Sequence, residues 1–356
     1  MDIKPLNRRS MLRLGAASGA GTLGAAALGA ATLPLLGDPL GGSSGRAQAQ
    51  TEGNPLDPNH PGHSLSATVG DVDVARMGFD PSVLVRTFDY GEATKMADGT
   101  TAREWEIAAY DKEIEIAPGV FFPAWTLNGN VPGPTLRATY GDQIRIRFLN
   151  QASHPHTLHF HGWHPPAMDG SMPDQQVMPG DEFVYEFDAE PFGLHLYHCH
   201  AVPLKRHIHK GLYGTFLVDP PQPRPPADEL VMVMNAFDTD FDGENEVYAV
   251  NSVAHHHMHT PIEVRVGELV RIYVVNVTEF DPVNSFHLHG MFFDVFKPGT
   301  RLEPNENTDT IMLCQGERAI LETRFRYPGL FMFHAHQSEF AELGWMGLFL
   351  AKEGSA

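Results

Sequence analysis

Apolar and polar residues alternate along much of the chain after its first hundred residues. In Glu104–Ile107, Glu113–Ile116 and Gln143–Phe148 every second side chain is apolar. A period of two is typical of β-strands with one buried face. Turn-forming pairs such as Asn128-Gly129 and Pro132-Gly133 punctuate the pattern. Short alternating strands with frequent turns predict an all-β protein made of β-sandwiches.

The pattern occurs twice. Ile262–Tyr273 resembles Leu136–Phe148, and Ser285–Gly290 resembles Thr157–Gly162. A proline-rich joint, Pro220–Pro226, lies between the two copies. We therefore predict an internal duplication. The predicted parts are an N-terminal arm over residues 50–102, a first domain over 103–219, a linker over 220–228 and a second domain over 229–356.

The N-terminus has the features of an export signal. Two arginines, Arg8 and Arg9, precede an Ala/Gly/Leu run, and a small-residue segment ends at Ala49. We predict a twin-arginine signal over residues 1–49 and a mature protein that is periplasmic or extracellular. The alternative is an uncleaved membrane anchor, but so many Gly and Ala make the run weakly apolar for a spanning helix. We expect no membrane contact in the mature form.

The chain is acidic. It has 25 Lys and Arg against 44 Asp and Glu, and without residues 1–49 the balance is 20 against 42, a net charge of −22. A surface of this sign repels nucleic acid and anionic membranes, so we expect neither as a partner.

The chain has two cysteines, so disulfides do not build the fold. Cys314 has no histidine close by and is predicted to be an ordinary buried thiol. Cys199 lies between His198 and His200. Because side chains alternate along a strand, its thiol is expected on one face and both imidazoles on the other. One tripeptide can therefore contact two metal centres.

A thiolate with two imidazoles in a trigonal arrangement is typical of a blue-copper electron-transfer site. For Cys199 the candidate partners are His156 and His207. The axial position, often a weakly bound Met, falls by spacing on Leu212, because no Met occurs between Cys199 and Met232. An axial Leu predicts a relatively high reduction potential. A distant Met that folds into the site is the alternative.

The second copy cannot form this site, because Ala335 replaces Cys199 and Asn284 replaces His156. Both copies nevertheless keep two His-x-His pairs, which on strands present two imidazoles on one face. The four pairs are His159/His161, His198/His200, His287/His289 and His334/His336.

These motifs resemble those of the multicopper oxidases, in particular the bacterial two-domain, laccase-like group with type 1 copper in the first domain. The resemblance implies an all-β fold of two cupredoxin-like Greek-key β-sandwich domains and four coppers per chain. It implies the following ligands: His156, Cys199 and His207 for type 1 copper; His159 and His287 for type 2; and His161, His198, His200, His289, His334 and His336 for the paired type 3 coppers.

The resemblance also implies an activity. Phenols, aromatic amines or similar reductants would give electrons singly at the type 1 site, and O2 would be reduced to water at the three-copper cluster. Asp169 resembles an acid found near the cluster in laccases and is a candidate proton relay, with Glu339 and Glu342 as weaker candidates. Family members form a homotrimer with the cluster between chains, although the spacing alone also allows an intrachain cluster.

Other functions remain open. A cuprous or ferrous metal oxidase would use the same fold. A copper nitrite reductase needs fewer imidazoles and carries an acid where this chain has His159. A copper carrier would need only the type 1 ligands. The cluster His255–His259 could bind extra copper, although a solvated or packed loop is the simpler interpretation.

Overall fold

The alternating segments form strands whose apolar residues are buried. In the long second strand, Trp105 and Ile107 are buried, whereas Glu104 and Glu106 are exposed. The computed structural model describes residues 72–354, so the predicted signal peptide and the first part of the arm lie outside the described residues.

The first domain and the arm before it contain nine strands, three short α-helices and two 3-10 turns within the described residues. In chain order they are α1 (Val74–Met77), α2 (Pro81–Leu84), β1 (Glu92–Lys95), β2 (Thr101–Ala117), β3 (Val120–Leu127), β4 (Leu136–Thr139), β5 (Gln143–Asn150), β6 (His159–Phe160), the 3-10 turns Pro166–Met168 and Pro173–Gln175, β7 (Glu182–Asp188), β8 (Gly193–His198), α3 (Leu204–His209) and β9 (Tyr213–Asp219).

The second domain follows after a segment without regular structure. Its elements are β10 (Asp228–Phe237), β11 (Val247–Val250), α4 (His256–His259), β12 (Ile262–Arg265), β13 (Val270–Asn276), β14 (Val283–Leu288), β15 (Phe293–Phe296), β16 (Glu306–Thr308), β17 (Thr310–Cys314), β18 (Arg318–Thr323), β19 (Gly329–His334), α5 (Ser338–Glu342) and β20 (Met346–Lys352).

Each domain has two sheets. In the first domain the orders are β1-β2-β5-β7, with β3 also paired to β2, and β4-β9-β8-β6. In the second they are β11-β10-β13-β18-β15-β16 and β12-β20-β19-β14-β17. The domains share unusual parallel pairs: β2 with β5 matches β10 with β13, and β4 with β9 matches β12 with β20. This repetition of topology matches the duplication expected from the sequence, and the all-β prediction is confirmed.

A shared apolar core joins the domains and the arm. It includes Met77 from α1, Leu194 and Leu217 from the first domain, and Val231 and Val275 from the second, all almost fully buried. The arm is also held by strand pairing of β1 with β2. Burial of this kind contributes about 25 cal/mol per Å² of apolar surface and fixes one domain against the other.

None of the helices within residues 72–354 is long and apolar enough to span a bilayer.

Candidate metal centre

Cys199, His156 and His207 converge in the first domain. Cys199 follows β8, His207 lies on α3, and His156 is held by a bridge to Val177. The Cys199 Sγ lies 3.2 Å from His207 Nδ1 and 3.9 Å from His156 Nδ1, and the two Nδ1 atoms are 3.1 Å apart. These separations suit three ligands around one ion, and a thiolate with two imidazoles is a donor set for copper. The residues present therefore fit the predicted type 1 site.

Burial keeps these ligands in the form that binds metal. It lowers the pKa of His156 to about 3 and that of His207 to about 4, so both imidazoles are neutral at neutral pH. Burial also raises the pKa of the Cys199 thiol to about 11. Because a metal-bound thiol is deprotonated, copper held by Cys199 would displace the thiol proton.

Hydrogen bonds and apolar packing hold Cys199 in position. The Thr157 N–H donates to Cys199 Sγ at 3.3 Å, and the Cys199 N–H donates to the Leu212 carbonyl at 2.9 Å. Leu212 is fully buried in the same apolar cluster as Cys199. The sulfur of Met168 accepts a backbone N–H from Glu186 at 3.4 Å, so that methionine is engaged elsewhere. The axial assignment of Leu212 stays a prediction.

One aromatic neighbour of the site, Trp125, was not found from the sequence. The ring centroid of Trp125 lies 4.9 Å from that of His156 and 4.8 Å from that of His207. The ring centroid of the exposed His154 lies 4.8 Å from that of the same indole. Trp125 comes from β3, which is distant in sequence from Cys199, so no local pattern indicates the contact. It holds both imidazoles in place by packing.

The first-domain histidine set is His159, His161, His198 and His200. His159 on β6 lies directly opposite His198 on β8. The Nε2 atoms of His161 and His198 face each other at 3.3 Å. The Nδ1–H groups of His159 and His198 donate to the Asp169 and Cys199 carbonyls at 2.8 and 3.0 Å. These bonds leave Nε2 free, which is the arrangement of metal-binding histidines.

The second-domain set repeats this geometry. His287 on β14 lies opposite His334 on β19, and the Nε2 atoms of His289 and His334 are 2.9 Å apart. The Nδ1–H of His334 donates to the Ala335 carbonyl at 2.6 Å, as His198 does to Cys199. His289 and His336 are exposed. Each set therefore places several free imidazole nitrogens around one point and fits copper by its donor type.

The two histidine sets are separate within one chain. Across residues 72–354, the histidines of each set make ring contacts with candidate ligands of their own set only. In the first domain His159 contacts His161, His198 and His200. In the second domain His287 contacts His289, His334 and His336. The cavity beside the first set is lined from the second domain by Val277, Glu279, Gln315 and Gly316 rather than by histidines.

In the second domain, apolar side chains occupy the positions that the predicted type 1 ligands have in the first domain. In the first domain the Leu212 N–H donates to the His207 carbonyl, and in the second the Trp345 N–H donates to the Phe340 carbonyl. The Ala335 N–H correspondingly donates to the Trp345 carbonyl at 3.1 Å. Phe340 and Trp345 thus take the positions of His207 and Leu212, and both are buried. Apolar packing replaces the ligands there.

The three candidate acids lie in different surroundings. An Asp169 carboxylate oxygen lies 3.3 Å from His159 Nδ1 and 3.7 Å from His164 Nε2. The structure therefore brings Asp169 to the first histidine set. Glu339 and Glu342 are exposed on α5, and within residues 72–354 no hydrogen bond or ion pair joins either carboxylate to a candidate ligand.

One cross-domain contact was also missed from the sequence. Arg318 on β18 of the second domain donates through Nε to the Leu194 carbonyl at 2.9 Å. Its Nη1 lies 3.4 Å from Nδ1 of His161 in the first domain. Nothing near Arg318 in the sequence indicates a histidine, because the contact depends on how the domains pack.

Two further sequence interpretations can be compared with the structure. The prediction that Cys314 is a buried thiol is wrong, because Cys314 lies at the end of β17 and is exposed. In the cluster His255–His259, the residues His255, His256 and His257 are buried and His259 is exposed. His255 donates to the Glu342 carbonyl, and His256 contacts Ser82 of the arm, so these side chains point to different partners.

Comparisons with known proteins agree with this geometry. Two family models, both described as multicopper oxidase, match residues 109–223 and 223–355. A solved multicopper oxidase is 55% identical, with a TM-score of 0.78, and the match covers 79% of this chain and all of that one. The chain belongs to the multicopper oxidases.

Relatives of known function differ in activity. The copper-containing nitrite reductase of Neisseria gonorrhoeae is 31% identical over 250 residues, which are 64% of this chain and 62% of that protein. A copper resistance protein A homolog from Pseudomonas syringae pv. tomato is 30% identical over 149 residues, 40% of this chain and 25% of that protein. The chain therefore spans less than two thirds of the length of these relatives.

Proposed function

We propose that this multicopper oxidase is laccase-like and couples one-electron oxidation of phenols, aromatic amines or similar reductants to reduction of O2 to water. The observation that supports this proposal most is that the chain has two matching four-histidine sets, one in each domain, and a single thiolate site. Copper bound at these places would take electrons one at a time at Cys199 and supply them to O2 at the histidine cluster. A carrier needs only the thiolate site, so eight retained imidazoles favour an oxidase.

The chain itself provides the electron route in this proposal. Cys199 is covalently joined to His198 and His200, which belong to the first histidine set. The Nδ1–H of His198 also donates to the Cys199 carbonyl at 3.0 Å. These bonds give a short path from the buried thiolate to the cluster ligands. The buried Trp125 packs against the His156 and His207 rings, and the exposed His154, which contacts the same indole, offers a surface near the site for the reductant.

The proposed assembly is a homotrimer in which the first domain of one chain faces the second domain of the next. Each set has four imidazoles, and a cluster of one type 2 and two type 3 coppers would need both. The exposure of His289 and His336 supports completion by a neighbouring chain. A closed ring satisfies every such interface in the same way. With four coppers per chain, each interface would hold three and each first domain one.

Proton supply is assigned in part to Asp169. Its carboxylate lies beside His159, and its own carbonyl accepts the His159 N–H. It is thus placed both to orient that imidazole and to pass protons toward it. Glu339 and Glu342 remain weaker candidates. We further propose twin-arginine export, with a periplasmic or extracellular location.

Nitrite reduction is the second candidate, and the similarity to nitrite reductases supports it. A cuprous or ferrous oxidase is a third, supported by the similarity to a copper resistance protein. All three would share the Cys199 site. They differ in the oxidising substrate, O2 or nitrite, and in the reductant that they accept.

Copper content, absorption and gas uptake of the purified protein separate these candidates. We expect about four coppers per chain, an intense visible thiolate-to-copper band and a near-ultraviolet shoulder from a coupled copper pair, in line with the ligand count. O2 uptake with a phenolic reductant, without nitrite consumption, supports the laccase-like function. About two coppers per chain and nitrite-dependent turnover would replace it with the nitrite reductase function, and activity confined to Cu(I) or Fe(II) with the metal oxidase function.

A further inference from the structure

A cavity of about 610 Å³ lies between the domains and opens on all four histidines of the first set. One wall is α3, which contributes Leu204, Lys205 and Ile208. The opposite wall is the second domain, including Glu279 and Gln315. A water molecule occupies roughly 30 Å³ in the liquid, so the cavity has room for several. It is therefore a space in which water can reach the histidine set.

Glu279 is the only carboxylic residue among those lining this cavity in the part of the chain that the structure describes. It lies in the segment between β13 and β14 and is 8% exposed. The Gln315 side-chain amide donates to its carboxyl group. Its own carbonyl accepts from the Asn245 side chain at 2.7 Å, which anchors the backbone. The position of the carboxyl group is thus fixed from two sides.

The burial of Glu279 favours a carboxyl group that can hold a proton. Burial raises the pKa of the Glu279 carboxyl above its ordinary value, while Gln315 and the Lys205 ammonium act in the opposite direction. The exposed Lys205 also lies over the Phe280 ring, 4.1 Å from its centroid. Asp281, the neighbouring acid, is engaged by Asn245 and Tyr248. A buried carboxyl group without a salt bridge is suited to act as a general acid.

We propose that Glu279 of the second domain delivers protons through this cavity to oxygen being reduced at the first-domain histidines. The proposal rests on the proposed O2-reducing function. Reduction of one O2 to two waters takes four electrons, which the reductants supply, and four protons, which come from solvent. Glu279 releases one proton at a time into the cavity water and takes one back from solvent. Asp169 lies beside Nδ1 of His159 in the first domain. Glu279 belongs to the second domain and would give protons a separate route to the same histidines.

The first test needs no copper. Infrared difference spectra between wild type and Glu279→Gln, both treated with chelator, report the protonation of this one carboxyl group. We expect a protonated-carboxyl band in wild type that persists at pH values above the ordinary Glu pKa of about 4.3. A band that titrates at the ordinary value, or its absence at every pH, overturns the proposal.

The second test uses the copper-loaded full chain. For Glu279→Gln we expect unchanged copper content, visible band and anaerobic reduction of the type 1 site. O2 consumption at saturating reductant should fall about 100-fold, with a larger solvent isotope effect. Glu279→Asp should recover part of the rate. Gln315→Leu, which keeps the carboxyl group but removes its hydrogen bond, should move the pH profile to higher pH.

The control is Glu113→Gln, which removes an exposed carboxylate on β2 far along the chain from the cavity residues and should leave every readout unchanged. Full-rate O2 consumption by copper-replete Glu279→Gln across the pH range overturns the proton route alone. Failure of the proposed function is a different result, because the copper-replete wild type would then consume no O2.

Discussion

His159 on β6 lies directly opposite His198 on β8, and the second domain repeats this relationship with His287 and His334. Opposite residues of an antiparallel pair have Cβ atoms about 5 Å apart, so strand register alone brings these imidazoles together. A slip of one residue would turn each ligand to the other face of its sheet. Strand pairing therefore fixes the place of one histidine of each His-x-His pair in both domains.

The two cysteines offer a matched test of the type 1 site. We expect Cys199→Ser to lose the visible thiolate-to-copper band and to lower the oxidation rate of small reductants at least about 100-fold, because no thiolate remains to receive electrons. About three coppers per chain should remain. Cys314→Ser changes an exposed thiol and should alter neither the spectrum nor the rate. Loss of the band in the Cys314 variant would contradict the assignment.

Leu212→Met tests the axial position. The two side chains have similar volumes, so the fully buried site should accept the change with little loss of stability. A thioether facing the copper donates to the oxidised ion, and we expect a lower reduction potential in a redox titration followed by visible absorption. Leu217→Met, another buried leucine of the first domain, is the control. Equal reduction potentials in wild type, Leu212→Met and Leu217→Met would show that Leu212 is not the axial residue.

Ala335→Cys tests why only one domain carries the blue site. The new thiol would stand in the place of Cys199, but Asn284 and Phe340 stand where the imidazoles are needed. We expect no second visible band and an unchanged number of type 1 coppers by electron paramagnetic resonance. Packing against the buried Trp345 should also make the variant less stable by about 1 to 3 kcal/mol. A second type 1 signal would show that the pocket retains ligands.

The grouping of the histidines in each domain could be predicted from the sequence because strand alternation converts His-x-His spacing into a shared face. The grouping of Cys199 with His156 and His207 could also be predicted, since His207 follows Cys199 closely in the sequence and lies on the short helix α3. The contacts of Trp125, Arg318 and Glu279 could not be predicted, because each depends on packing between distant segments or between domains. Cys314 was misjudged because an isolated cysteine gives no periodicity that shows which face of β17 it occupies.

Arg137 tests the joint between the domains. Its guanidinium donates to Asp219 at the end of the first domain at 2.8 Å and to Glu229 at the start of the second at 2.7 Å, and it is 9% exposed. Arg137→Met removes a buried guanidinium and leaves two half-buried carboxylates with fewer partners. We expect a loss of about 3 kcal/mol in the free energy of unfolding, measured with urea.

The control for this joint is Arg145→Met, because Arg145 pairs with Glu104 and Glu186 while its side chain stays 46% exposed. An exposed pair contributes at most about 1 kcal/mol. If the two variants lost equal stability, the buried network would have no special role in holding the domains together.

His257 gives a prediction for pH dependence. It is 2% exposed, and burial lowers its pKa from 6.5 to about 3. Because the folded state resists protonation, the unfolded state binds the proton first as pH falls. Stability from this residue is therefore fully present above about pH 6.5 and is lost progressively as pH falls toward 3, by up to about 1.4 kcal/mol per pH unit.

We expect His257→Gln to flatten this loss between about pH 6.5 and pH 4, as measured by urea midpoints of chelator-treated protein at several pH values. The matched control is His259→Gln, two residues along the same helix but exposed, which should keep the wild-type slope. Other buried histidines titrate equally in all three proteins, so only the difference between slopes matters. Identical slopes for the two variants would mean that His257 becomes protonated without unfolding the chain.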